Sequence, residues 1–352
     1  AHLQGDALQS PTPDKENPGA LKSEAAQPEA SRRLRRPFNY LLSLRTFQAV
    51  RFREFRLLWF GQACMGMGTW MDQVARGWLI YELTNSTVQL GLVRGVQAIP
   101  VLLLSPLAGS AADRYDRKKV LMVAQVLDGL MYAAITVLIL IGKIQPWHVY
   151  ATSVGLGIVQ TFQHPSRAAM VADSVPLSHL TNAIGLNSVV FNVSRSTGPA
   201  LAGVLIAILG TASSYAVQAT FYLLATLFTV PLHPEQRSSA GPHGHTASET
   251  SFGQSIIQGW KFSWSTETVR TALLIAASGS FFIIPFTTLL PVFARDLLEV
   301  GATGQGFLLT SMGIGSLCSA IFIASLSDQA HRGMLMIGGV AMYGVSVVAF
   351  SA

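Results

Sequence analysis

Gly109-Ser110-Ala111-Ala112-Asp113-Arg114-Tyr115-Asp116-Arg117-Lys118-Lys119 separates two long apolar runs, and six of its last seven positions are charged. Only 12% of the 352 residues carry charge, so the cluster is a local exception that needs a reason. The flanking runs, at about 88–112 and 120–141, are each long enough to cross ~30 Å of hydrocarbon as a helix. Lys and Arg in a short loop beside such runs resist translocation. The loop therefore predicts two membrane-crossing helices joined on the cytoplasmic side, and it sets the orientation of the chain around it.

The rest of the composition agrees. The chain is 50% hydrophobic with a mean hydropathy of +0.41, and its charge density is about half the ~25% of a soluble domain. Apolar residues come in blocks of about twenty, which predicts an all-α, polytopic helical membrane protein. A net charge of +6 would suggest nucleic acid in a soluble chain. Here Lys and Arg gather in alternate loops, so topology accounts for the excess and no nucleic-acid partner is expected. Cys64 and Cys318 both fall inside apolar runs and read as packing residues rather than a disulfide or metal pair.

Residues 1–36 are rich in Pro, Ala, Glu, Ser and Gln and lack apolar periodicity, which predicts a disordered cytoplasmic tail. Residues 37–56 mix aromatic and Arg positions and read either as a basic helix lying in the membrane interface or as a plain positive anchor. Spans follow at about 57–81, 88–112, 120–141, 149–171, 183–209 and 213–232, then a polar linker over 233–267, then 269–293, 304–326 and 334–352. The first six form one bundle (57–232) and the last three part of another (268–352). The start at Ala1 without methionine and the stop inside an apolar run read as a piece of a longer chain. With the N-terminus inside, the inner loops hold most of the Lys and Arg at every turn. A shift of 215 positions aligns Gly91 with Gly306, Asp113 with Asp328 and Arg117 with Arg332, with Ala324 where Gly109 stands. Such parallel repeats relate the two halves of some transporters.

The pattern Gly109-x-x-x-Asp113-Arg114-x-Asp116-Arg117-Lys118 resembles motif A of the major facilitator superfamily, with Asp116 where the family usually has Gly. Phe55 to Gln62, Gly68 to Met71, Pro165 to Ala169 and Asn182 to Asn187 are similar to the branch of enterobactin exporters and macrolide efflux proteins. The resemblance implies a six-plus-six fold truncated after about nine spans, and a cytoplasmic latch at Gly109, Asp113, Arg114, Asp116, Arg117 and Lys118, echoed by Asp328 and Arg332. It also implies that charged residues ending the fourth span pair with the latch: Arg167 with Asp113 or Asp116, and Asp173 with Arg117. A purely topogenic loop is the simpler alternative. Gly198, Pro199 and Gly203 resemble the antiporter motif of the fifth span, although Ser194 and Leu186 replace earlier glycines; a generic proline kink is the other reading.

Ionisable groups at membrane depth are expensive and mark candidate sites. Asp72 and Arg76 stand four apart on one helix face, either neutralising each other or forming a proton site. Arg195 is expected to pair with Asp72 across a cavity or to bind an anionic substrate. Asp128 reads as a structural pair more than a coupling site, Arg94 as a snorkelling side chain, and His164 as satisfying a kink at Pro165. His243 and His245 read as solvated loop, and no metal or cofactor is expected. Trp70, Met71, Phe281, Phe282 and Phe286 either line an apolar pocket or pack helices. Together these readings predict a monomeric inner-membrane exporter of a small amphipathic compound, such as a drug, macrolide or siderophore, driven by proton antiport. A facilitator or importer, and a non-transporting receptor or scaffold, are the alternatives; the linker offers no catalytic cluster for a membrane enzyme.

Overall fold

The computed structural model describes residues 45–233, 261, 263–325 and 332–351, and these form long helices with no strand among them. We label the helices α1 (Arg53–Thr84), α2 (Thr87–Arg114), α3 (Arg117–Leu140), α4 (Pro146–Asp173), α5 (Leu180–Leu209), α6 (Thr211–Thr229), α7 (Glu267–Val292), α8 (Gly301–Ser325) and α9 (Arg332–Ser351). Each expected span falls on one helix, with ends agreeing to about one turn. The expected tail, His243, His245 and Asp328 lie outside the described residues.

Of the basic stretch 37–56, residues 37–44 lie outside the described residues. Its described part is a short 3-10 helix, Arg45–Arg51, and Arg53 already opens α1. The reason is burial: Phe55 and Leu58 continue the inward face of α1, so the helix begins before the apolar run does.

Local chemistry sets the joints. Asn85 closes α1 at φ 49°, its N–H donating to the Tyr81 carbonyl, and Asn tolerates that left-handed conformation. Only Tyr115 and Asp116 separate α2 from α3. Asp116 Oδ1 accepts from the backbone N–H groups of Lys118 (3.0 Å) and Lys119 (3.3 Å), capping α3.

Helix α1 is central: it packs on α5 and α6, while α3 packs on α4 and α6, and α2 on α4. Lipid tails are as apolar as leucine, so helices in a bilayer associate through close packing and polar contacts rather than hydrophobicity. Glycines provide the approach. A Cβ on Gly68 would sit 2.8 Å from Tyr222 Cε2 of α6, and Gly157 of α4 lies against the Gln97 carbonyl of α2. A second seam joins α5 to α8, where Gly203 and Gly306 meet with their backbones in contact.

The outside of this unit is apolar, and its largely apolar interior also holds polar side chains. Leu103, Leu130 and Leu140 are exposed, whereas Asp72, Arg76, Gln125, Asp128, Gln163 and Gln218 are buried. Among the described residues, Thr87–Ser105, Arg117–Leu140, Leu177–Leu209 and Val269–Leu297 are apolar and long enough to cross a membrane. α1, α4 and α6 carry buried polar groups as well: Asp72 and Arg76, Gln163, and Gln218.

Candidate functional site

The site grows from α1. Residues four apart share a helix face, and Arg76 Nε and Nη2 donate to Asp72 Oδ2 (2.9 Å) and Oδ1 (3.0 Å). Both side chains are buried, Arg76 completely. The remaining guanidinium nitrogen, Nη1, reaches α4 and donates to the Val149 carbonyl (3.3 Å), Thr152 Oγ1 (3.1 Å) and Ser153 Oγ (3.0 Å). Arg76 thus neutralises Asp72 and ties α1 to α4 at once. A buried ion pair needs this completeness, because its Coulomb attraction alone does not offset desolvation.

A second cation enters from α2. Arg94 does not snorkel outward as its sequence position suggests. It turns inward, placing Nη1 3.9 Å from Asp72 Oδ2 and donating through Nη2 to the carbonyls of Gln73 (3.1 Å) and Asp72 (3.5 Å). Carbonyls and a carboxylate at hand give the guanidinium a nearer polar environment than the membrane surface. Arg94, Asp72, Gln73 and Gln97 border a cavity of about 670 Å³ between α1, α2 and α4.

Asp128 sits deeper, fully buried on α3. Its Oδ2 accepts from Gln163 Nε2 (3.2 Å), while Oδ1 has no hydrogen-bond partner among the described residues. Tyr132 packs on Tyr222 with ring centroids 5.3 Å apart, and Tyr222 shares a hydrogen bond with Thr69 (3.1 Å). The partner of Asp128 is therefore an amide, and the pair lies inside the bundle.

Arg195 does not meet Asp72. Its guanidinium lies over the Trp70 ring, 5.5 Å from the centroid. Trp70 and Asp72 are two residues apart and so face different sides of α1. Arg195 instead borders a second cavity, of about 520 Å³, with Phe286 and Phe350. The expected aromatic pocket is only partly assembled: Phe286 lines this cavity and Trp70 underlies Arg195, but Met71 is in the core and Phe281 is 73% exposed. The side chain of Phe282 is outside the described residues.

At the basic loop, Gly109, Asp113 and Arg114 form the closing turns of α2. Arg117 Nη1 donates to Asp173 Oδ2 at 2.6 Å, joining the start of α3 to the end of α4. Lys119 Nζ lies 3.9 Å from Asp116 Oδ2, and Lys118 contributes its backbone N–H to the cap. Arg167 donates to Gln62 of α1 rather than to Asp116, whose carboxylate is engaged at the α3 cap. Arg332 opens α9. His164 is exposed and borders a cleft with Ser105 and Gln160.

The expected kink residues serve packing on two sides. Gly198 faces α1, where a Cβ would lie 2.8 Å from Trp70 Cβ, and Gly203 faces Ala302 and Gly306 of α8. Pro199 cannot donate to the carbonyl four residues back. That carbonyl belongs to Arg195 and lies against Gly313 of α8. Sequence reasoning missed Gln62, Gln163 and the inward turn of Arg94; the polar pair Arg94 and Gln97, one turn apart on α2, was the available signal.

A family described as transmembrane secretion effector matches residues 45–352. Among curated proteins, the staphyloferrin A transporter of Staphylococcus aureus is 29% identical, covering 81% of this chain and 68% of its own length. The multidrug efflux pump Tap of Mycolicibacterium fortuitum is 28% identical over 84% of this chain and 73% of its own. Macrolide efflux protein A of Streptococcus pyogenes is 20% identical over 84% and 72%. A solved bacterial homolog of the human lysosomal transporter Spinster, inward-facing and unoccupied, superposes with a TM-score of 0.62 at 15% identity, over 80% of this chain and 65% of that one. Its occupied form gives 0.60 at 16% identity over 78% and 62%. That likeness shows the helical fold alone, and the chain spans less than two thirds of those solved proteins.

Proposed function

Because the chain belongs to the transmembrane secretion effector family of major facilitator transporters, we propose that it exports a small amphipathic compound across the cytoplasmic membrane by proton antiport. The observation that carries this reading is the buried Asp72–Arg76 pair, two ionised groups at membrane depth beside a cavity large enough for a small molecule. Such groups are retained at a cost that function repays. The relatives named as multidrug and macrolide efflux proteins support the outward direction.

In this reading helices α1–α6 (57–232) make one half and α7–α9 (268–352) belong to the second, joined by a cytoplasmic linker over 233–267 and rocking about a midplane site. The N-terminus lies inside, a reading the basic loop supports, and the transporter works as a monomer. Asp72 binds and releases the proton as access alternates, and Arg76 sets its affinity. The Arg117–Asp173 bond, together with Gly109, Asp113, Arg114, Asp116 and Lys118, acts as a latch on the cytoplasmic side. Gly198, Pro199 and Gly203 form the flexible contact of α5.

The test is proton-driven dye uptake into inverted vesicles carrying the natural full-length protein. Asp72→Asn is expected to abolish the response to an imposed pH gradient. An unaltered response removes Asp72 from coupling.

A further inference from the structure

The cavity between α1, α2 and α4 has an electrostatic sign. Asp72 and Arg94 line it, and the buried Arg76 guanidinium stands behind Asp72 without reaching the cavity. Arg76 already meets both Asp72 oxygens, so that pair is neutral and internally matched. The charge of Arg94 is left over. Asp128 does not line the cavity, because its carboxyl faces Gln163 of α4. The walls near Arg94 are otherwise neutral: Thr69, Gln73, Gln97, Ser105 and Gln160, with apolar Ile99 and Leu102 at one side.

The donors of Arg94 tell the same story. A guanidinium has five N–H groups. Nη2 serves the carbonyls of Gln73 and Asp72, and one Nη1–H serves Gln97 Oε1 at 3.3 Å. The Nε–H and the second Nη1–H have no hydrogen-bond acceptor among the described residues. The side chain is 23% exposed, so the group reaches the cavity without being flooded by solvent. A half-buried cation with open donors is complemented by an anionic oxygen, which accepts a charge-assisted bond from it. It is not complemented by a cation, since Asp72 has no charge to spare.

We propose that this cavity is the cargo half-site of the six-helix unit, and that it takes the carboxylate end of an amphipathic anion on Arg94. The inference rests on the transport reading for its biological meaning, but it is a statement about equilibrium binding and needs no gradient. Gln97 and Gln73 hold the guanidinium in place, and the apolar wall of α2 receives the body of the ligand.

Three probes with one body and different heads test it: 4-butylbenzoate, 4-butylbenzamide and 4-butylbenzylammonium. Each is titrated by calorimetry into the full chain in phosphatidylcholine nanodiscs, without a pH gradient. The benzoate is expected to bind about tenfold more tightly than the amide, and the ammonium more weakly than either. Arg94→Gln is expected to erase the preference for benzoate, and Arg94→Lys to keep part of it; far-UV circular dichroism checks that both variants fold. Equal binding of the three heads, preference for the ammonium, or no binding at millimolar concentration overturns the proposal. So does an unchanged preference in folded Arg94→Gln. Nanodiscs containing phosphatidylglycerol form a further arm. If they abolish benzoate binding, the occupant is a lipid phosphate rather than a cargo carboxylate, and the proposal falls. Failure here with proton-driven dye uptake intact leaves the transport reading standing; anion selectivity without such uptake does the reverse.

Discussion

Replacing Arg76 by glutamine strands Asp72 inside the bundle. The substitution removes two charge-assisted bonds of 2.9 and 3.0 Å and three donations from Nη1 to α4. Taking one partner from a buried ion pair costs about 3–5 kcal/mol, chiefly because the survivor keeps its desolvation penalty. Arg94 stands 3.9 Å from the same Asp72 oxygen and offsets part of that loss. The expected cost is therefore near the lower end, about 3 kcal/mol. Asp72→Asn is expected to cost about the same, since it leaves an unmatched guanidinium with only neutral acceptors from α4. The double variant Asp72→Asn/Arg76→Gln leaves two neutral amides and no orphaned charge. It is expected to lose much less than the sum of about 6 kcal/mol, giving a coupling energy of about 2–3 kcal/mol. Reversible unfolding in mixed micelles, followed by far-UV circular dichroism, measures all three. Additivity within about 0.5 kcal/mol would show that the two side chains do not share a contact, and would refute the pairing on which the site is built.

Three further outcomes follow from the geometry. Asp116→Ala removes the α3 cap and is expected to lower stability by about 1 kcal/mol, while Asp116→Ser retains most of it; thermal melts distinguish the two. Gly68→Ala drives a methyl into the Tyr222 ring and is expected to cost about 1–3 kcal/mol, a loss that Tyr222→Leu in the same chain relieves and Tyr222→Phe does not. Asp173→Asn is expected to weaken the Arg117 contact and, if that contact is a latch, to raise the labelling rate of a cysteine placed in the cavity from the cytoplasmic face. An unchanged rate assigns the pair to stability alone.

What the sequence made legible depended on how local each feature is. Nine apolar blocks locate the helices because span length is fixed by bilayer thickness. The Asp72–Arg76 contact was readable for a similar reason: both partners sit on one helix, and their spacing alone brings them together. Arg94 and Asp72 belong to different helices, and nothing in either run states how far α2 is rotated about its axis. Gln62 as partner of Arg167 depends on the register between α1 and α4 in the same way. Asp116 looked like a departure from the family pattern, yet an Asp one residue before a helix is a cap signal in its own right. Over 37–56 the sequence leaves an interfacial helix and a plain positive anchor open, because aromatic and Arg positions look alike in both.

The seam of α5 with α8 has a mechanical consequence. Gly203 touches Gly306 and the Ala302 carbonyl, and Gly313 rests on the backbone of Arg195 and Ser196. Glycine and alanine have no rotamers to refreeze, so displacement along this contact incurs no side-chain entropy loss. Interdigitated leucines would have to unlock and relock at every step. Two main chains lying against each other form a bearing surface, suited to small sliding displacements of packed helices.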